Sequence, residues 1–294
     1  MQGKNWIKAF AFALMPGALG ILPAGSFVAV AQTPVEQPAI EPAVRDLVAA
    51  MHIADLAQVV QAEGEDYGVQ LKDEMFPDTG GADWSAIVSH IYGAEKLTAE
   101  FTRSLSSELA AQPGVVAAAH AFFDSATGRK IIGLEIEARR ALLDDATEQA
   151  AKETYADMEA RGLPRIDALR RFVAANDLVE MNVMGALNAN LAFYKGMAQG
   201  GAFTDQMSEG DMLAEVWSQE EQVRSDTEEW LWPYLALAYQ PLSDEEMQAY
   251  QVFSETPEGQ ALNAALFAAF DASFVRISRD LGQAVGRMVQ GQDI

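Results

Sequence analysis

Apolar residues recur at steps of three and four along most of this chain, and period-two alternation is nowhere sustained, so the pattern predicts helices and no sheet. Val44, Leu47, Val48, Met51, Leu56, Val59 and Val60 form the first such series, with Pro42 suited to a first helical turn. Trp84, Ile87, Val88, Ile91, Phe101, Leu105 and Leu109 form a second amphipathic helix, which Pro113 and Gly114 break. A short helix is expected over Val115 to Phe123. Gly128 then opens a long one running past Arg139 toward Gly162 and Pro164. Further helices are expected from about Arg165 to Met197 and from Met212 to Tyr239, separated by a loop at Gly200 and Gly201. The final stripe, Leu262, Leu266, Phe270, Phe274, Ile277, Leu281, Val285 and Met288, is the clearest in the chain. The fold class is therefore all-α, resembling a helical bundle.

The helical pattern is stated twice. Phe122, Ser125 and Gly128 return as Phe253, Thr256 and Gly259, an offset of 131, and Val48 to Leu56 returns as Val173 to Met181 at an offset of 125. Loop insertions account for the difference between the two offsets, and a recurrence of this kind points to tandem related units, 43–162 and 163–294. In the second copy Thr256 is placed to cap a helix, Pro257 fits its first position and Gly259 permits close approach. Ser125 caps the first copy, where Ala126 stands in place of the proline. Each residue of the motif has a structural role in a corner between helices. Ser243 followed three residues on by Glu246 reads as a capping box.

Leu242-Ser243-Asp244-Glu245-Glu246-Met247, then Tyr250, Phe253, Thr256-Pro257-Glu258-Gly259 and the apolar helix beyond, resemble an uncharacterised domain-of-unknown-function family (DUF 2059) of exported helical bacterial proteins. The resemblance covers Met212 to Val285, and reaches the first half only through Phe122, Ser125 and Gly128. It implies a helical fold and an exported location. The family has no established activity, so no catalytic residue is carried over.

Export is also expected from the leader. Lys4 and Lys8 precede the apolar stretch Ala9 to Leu22, and Ala29-Val30-Ala31 offers a small-residue cleavage site, so residues 1–31 read as a signal peptide. Residues 32–42 hold three prolines and read as an extended linker. No later apolar run of spanning length is expected in the mature chain, whose expected location is periplasmic or secreted in a Gram-negative bacterium. With no cysteine, the chain has neither disulfides nor thiolate metal sites. A formal charge of −23 has the wrong sign for a phosphate backbone, which excludes nucleic acid as a natural partner class.

Catalytic signatures are lacking: the sequence has no phosphate loop, no nucleophile elbow, and no metal-ligand spacing among His52, His90 and His120. One metal-site candidate arises from the recurrence, which aligns His52 and Asp55 with Asp177 and Glu180. Each pair lies three residues apart on one helical face, and the four would converge if the opening helices of the two units packed together. The alternative for each pair is a solvated polar face. Trp230, Trp232 and Tyr234 form an aromatic string that reads either as core or as a ligand platform exposed by Pro233.

The expected function is binding of a protein or cell-envelope ligand by an exported, non-enzymatic helical protein with no cofactor. The rival is a hydrolase or metal-dependent enzyme with its site in a groove between the units.

Overall fold

A computed structural model describes residues 42–77, 81–203 and 207–291, and these are helical with no strand among them. The expected signal peptide and all of the expected linker but Pro42 lie outside the described residues. The helices are α1 (Pro42–Ala50), α2 (Ile53–Met75), α3 (Gly81–Ile91), α4 (Ala94–Glu108), α5 (Pro113–Phe123), α6 (Ala126–Ala141) and α7 (Asp145–Ala160). After Gly162 come α8 (Pro164–Ala175), α9 (Leu178–Gln199), α10 (Glu209–Ser218), α11 (Glu220–Tyr239), α12 (Asp244–Ser254) and α13 (Pro257–Val289).

Five of the expected helices are each divided in two. The first series breaks at His52 and the fourth at Asp177, which adopt left-handed backbone angles, φ 51° and 48°. Among the described residues these are the two non-glycine positions with positive φ, and they occupy equivalent places in the recurrence. His and Asp are enriched in that conformation, which other side chains adopt at a steric cost. The break re-aims the chain so that both flanks are buried: Met51 and Ile53 at the first junction, Asn176 and Leu178 at the second. Gly93 separates α3 from α4, and Gln219 separates α10 from α11. Asp144 starts α7 by accepting from the Thr147 amide at 2.8 Å. Periodicity missed these breaks because the apolar phase resumes within a residue or two.

The order of helices in the two halves runs in parallel. Helices α1 to α5 have 9, 23, 11, 15 and 11 residues, and α8 to α12 have 12, 22, 10, 20 and 11. α13, with 33 residues, stands where the first half has α6 and α7. The two halves nevertheless share one continuous hydrophobic core. α13 packs on α4 of the first half, while α6 and α7 pack on α11 of the second. The contacts are reciprocal in kind. Phe270 of α13 meets Phe101 of α4 at 4.3 Å, and the guanidinium of Arg139 on α6 lies 5.8 Å from the Trp230 ring on α11. Arg276 Nε donates to Glu100 at 2.5 Å, and Lys152 donates to Glu229 at 2.7 Å.

Both corner motifs use the same bonds. Ser125 Oγ accepts from the Gly128 amide at 3.0 Å and donates to the Phe122 carbonyl at 2.6 Å. Thr256 Oγ1 accepts from Gly259 at 3.0 Å and donates to the Phe253 carbonyl at 2.7 Å. A Cβ at Gly128 or Gly259 would overlap the carbonyl oxygen of Phe122 or Phe253, so the glycine lets each new helix start against the end of the last. The two corners also meet. Phe122 and Phe253 stack with ring centroids 4.2 Å apart and planes within 5°.

α13 runs closest to α9. Cβ atoms at Gly282 and Gly286 would strike the carbonyl oxygens of Phe193 and Met197, and Cβ atoms at Gly196 and Gly200 would strike those of Arg279 and Gln283. These four glycines, at four-residue spacing on both helices, allow backbone to pack on backbone. Among the described residues α13 is the one helix long and apolar enough to cross a membrane, contrary to the expectation that no later run has that length. Neighbouring helices bury 61% of its most apolar window, as expected for a core helix.

Substitution at these glycines separates packing from propensity. Gly282→Ala should destabilise by about 1–3 kcal/mol, the usual cost of overpacking. Gly133 and Gly185 sit mid-helix with nothing within 4 Å of an added Cβ. Alanine at either should stabilise by about 0.5–1 kcal/mol. Thermal or urea unfolding of the three variants reads the opposite signs.

Ser125→Ala and Thr256→Ala should each cost about 0.5–2 kcal/mol, because each loses the acceptor for a first-turn amide. Chemical denaturation measures the losses, and unchanged midpoints would count against the corner assignment.

Candidate functional site

The buried face of α6 is formed by Gly128, Ile131, Ile132, Glu135, Ile136, Ala138 and Arg139. Two charged residues therefore sit in phase with an apolar stripe. Glu135 and Arg139 are 2% and 3% exposed. Three tyrosines of the second half close over Glu135. Tyr239 and Tyr250 donate to Oε1 at 2.7 and 3.2 Å, and Tyr234 donates to the Glu135 backbone carbonyl at 3.3 Å. Oε2 is buried without a hydrogen-bond partner among the described residues. Arg139, one turn on, makes a bidentate pair with Glu63 of α2, both bonds 2.7 Å long. Phe172 packs edge-on against Tyr239 at 5.6 Å and at a tilt against Tyr250 at 4.8 Å, which fixes the two phenols in place.

Burial pushes the Glu135 carboxyl up to about 8, against the smaller opposing effect of the Tyr239 and Tyr250 hydrogen bonds. At neutral pH the group is held mainly as the neutral acid. Burial would lower the Arg139 pKa, but the facing Glu63 carboxylate outweighs it and leaves Arg139 raised and charged. A carboxyl titrating near neutrality suits proton transfer in principle. Here, however, a reactant would reach Oε2 only if α11 and α12 parted from α6, so the cluster acts as a polar lock between the halves. Its sequence signal was the presence of Glu135 and Arg139 on the apolar face of their helix. Partners about a hundred residues away gave no signal.

The four metal candidates are not gathered. His52 Nδ1 and Asp55 pair with each other at 2.9 Å on the surface. Glu180 is held by the Arg224 guanidinium, whose hydrogen bonds depress its pKa. Partial burial, with some help from Glu180, raises that of Asp177. Among the described residues no three His, Asp or Glu side chains are grouped to hold a metal ion. The geometric reason is the left-handed turn at His52 and Asp177: it sends α1 onto α5 and α8 onto α12, and the halves meet at the corner phenylalanines.

The aromatic string is core. Trp230 and Tyr234 are buried and stacked at 4.6 Å, and Trp232 is partly buried against Tyr155 at 6.1 Å. Pro233 lies inside α11 without exposing them.

Large apolar side chains are exposed singly at Val69, Leu143, Met184, Val252 and Val289, and as a pair one turn apart on α10. Met212 and Val216 face inward, while Leu213 and Trp217, one turn apart on the outward side, are 43% and 52% exposed. The sequence pattern predicts one helix from Met212 to Tyr239 and singles out neither the inward nor the outward pair. No family model, no curated protein and no solved structure matches the chain.

The Glu135 cluster makes stability depend on pH. Its folded-state pKa of about 8 exceeds the ordinary 4.5, so between those values the native protein holds a proton that the unfolded chain releases. The contribution is whole below about pH 4.5 and is lost as pH rises toward 8, by up to about 1.4 kcal/mol per pH unit. Glu135→Gln keeps an oxygen acceptor but cannot ionise, so wild type should lose stability relative to this variant across that window. Urea unfolding at a series of pH values tests it, and a constant difference would show that Glu135 ionises as an ordinary acid.

Proposed function

We propose that this chain is an exported binding protein of the bacterial cell envelope, built from a duplicated helical unit and acting through the outward face of α10. The observation that carries the reading is the exposed Leu213 and Trp217 pair. A fold with no further role gains little from an exposed Trp one turn from an exposed Leu, and aromatic side chains of this kind anchor protein interfaces.

The duplication is supported by the matched corners, the two left-handed junctions and the parallel order of helices. The exported location rests on the leader sequence and on the resemblance to the uncharacterised exported family. The acidic balance of the chain is compatible with a cationic or neutral partner. An enzyme using Glu135 is the weaker reading, because the tyrosines bury its carboxyl.

A photocrosslinking residue introduced at Trp217 should form adducts in intact envelopes, and the same residue at Ser85 of α3 should not. Adducts at neither position, or equally at both, would remove the basis for assigning binding to α10.

A further inference from the structure

Three buried positions change character together between the two halves. Met51, Phe123 and Ile132 of the first half are buried in the apolar core. At the offsets of 125 and 131 their counterparts are Asn176, Ser254 and Asn263, each 0% exposed. The first half packs these positions with apolar side chains, so burial there does not itself call for polar ones.

The three polar residues belong to one corner. Asn176 caps the end of α8, Ser254 ends α12, and Asn263 lies in the second turn of α13. Phe172 and Tyr250, whose rings meet at 4.8 Å, lie four residues before Asn176 and Ser254, so the helix faces that bring the rings together carry the two polar side chains one turn on. Gln260 ties in the third helix: its Nε2 donates to the Ala175 carbonyl at 3.1 Å and to the Ser254 carbonyl at 2.7 Å. An added Cβ at Gly259 would stand 3.2 Å from the Ser254 Cα, and Asn263 lies one turn further along that face of α13.

Hydrogen bonding leaves four side-chain atoms over. Asn176 Nδ2 donates to the Phe172 carbonyl at 2.5 Å. Asn176 Oδ1, Ser254 Oγ and both Oδ1 and Nδ2 of Asn263 are buried without a partner among the described residues. Burying polar atoms unpaired is destabilising, so a group of four at one corner calls for a molecule that pairs them. Their chemistry describes it. Two amide oxygens accept, one amide nitrogen donates, and a hydroxyl does either, with no charge among them. A bare cation would leave the donor unpaired and an anion would leave the amide oxygens unpaired. A small neutral molecule that both donates and accepts satisfies the set.

We propose that this corner is a binding site for internal water, about one or two molecules at roughly three hydrogen bonds each. The water joins the ends of α8 and α12 to α13 through Asn176, Ser254 and Asn263. It does for the second half, by hydrogen bonding, what Met51, Phe123 and Ile132 do for the first by apolar contact. The site is independent of the exposed pair on α10.

Two measurements on the purified chain test the proposal. In paired NOE and ROE spectra the Asn263 side-chain amide should show a direct cross-peak to water, with the sign of a molecule held for longer than rotational tumbling, and this reading needs no variant. Magnetic relaxation dispersion counts long-lived internal waters. Asn176→Met/Ser254→Phe/Asn263→Ile installs the residues of the first half and should lower that count by about one or two. Asn263→Leu, close to asparagine in shape but without its hydrogen-bonding atoms, should lower it as well, and serves if the triple variant fails to unfold cooperatively. An Asn263 amide with no cross-peak to water overturns the proposal, as does an unchanged count in a folded variant. It is overturned equally if mass spectrometry finds a small organic molecule released on denaturing wild type and absent from the folded variant, since the corner then holds that compound in place of water.

Discussion

Close backbone contact between α9 and α13 is the constraint on which the rest of the arrangement depends. Side chains normally keep helix axes 8–10 Å apart. Here glycines at positions 196, 200, 282 and 286 remove the side chains at the crossing, and carbonyl oxygens of each helix lie where the other's Cβ atoms would be. α13 is thereby fixed along α9 while its remaining faces reach α4, α5 and α3 of the first half. Its starting point is fixed as well, by the Thr256 cap and by Gly259 against the Phe253 carbonyl. With start and path both fixed, Phe253 is presented to Phe122, and the corner of one half stacks on that of the other.

Two solutions to the same packing problem stand side by side. At an offset of 131, Leu266 and Phe270 of α13 match Glu135 and Arg139 of α6, and all four are buried. Of the apolar pair, Phe270 packs on Phe101. The polar pair is surrounded by partners of its own: Glu63 forms an ion pair with Arg139, Tyr239 and Tyr250 hydrogen-bond to the Glu135 carboxyl and Tyr234 to its backbone carbonyl, and Trp230 lies beside the guanidinium. A buried ion pair contributes less net stability than its short distances suggest, because both charges were solvated in the unfolded chain. What it supplies is directional: Tyr239 and Tyr250 hydrogen-bond to Glu135 in one arrangement only, which selects one packing of α11 and α12 on α6. The second half shows that an apolar version of this seam is attainable, and the first shows where polar specificity replaced it.

The same comparison separates what α10 needs for packing from what it shows to solvent. Met212 and Val216 do the work of Trp84 and Val88, so the inward face is conserved in character between the halves. Leu213 and Trp217 diverge from the serines of α3, and the divergence lies entirely on the outward side. Function in this chain is therefore sought on a helix surface, while the chemically distinctive groups, Glu135 and Arg139, serve the interior.

Helical class, the caps at Ser125, Ser243 and Thr256, and the long apolar stripe of α13 were legible in the sequence, because each depends on residues within a turn or two of one another. The left-handed junctions at His52 and Asp177 were not: the apolar phase runs through both, and the turn persists only because packing buries Met51 and Ile53, and Asn176 and Leu178, on either side. Nor could spacing alone show that Trp230 and Tyr234 are interior and Trp217 exposed, since each lies on a helix with apolar neighbours. The convergence of Glu63, Glu135, Arg139 and three tyrosines draws on α2, α6, α11 and α12. Local sequence determined the capped starts at Ser125, Ser243 and Thr256 and which stripe is apolar, through short-range hydrogen bonding and side-chain period. Tertiary structure decided which stripes meet, because long-range burial and electrostatics act between residues whose separation along the chain carries no information about their contact.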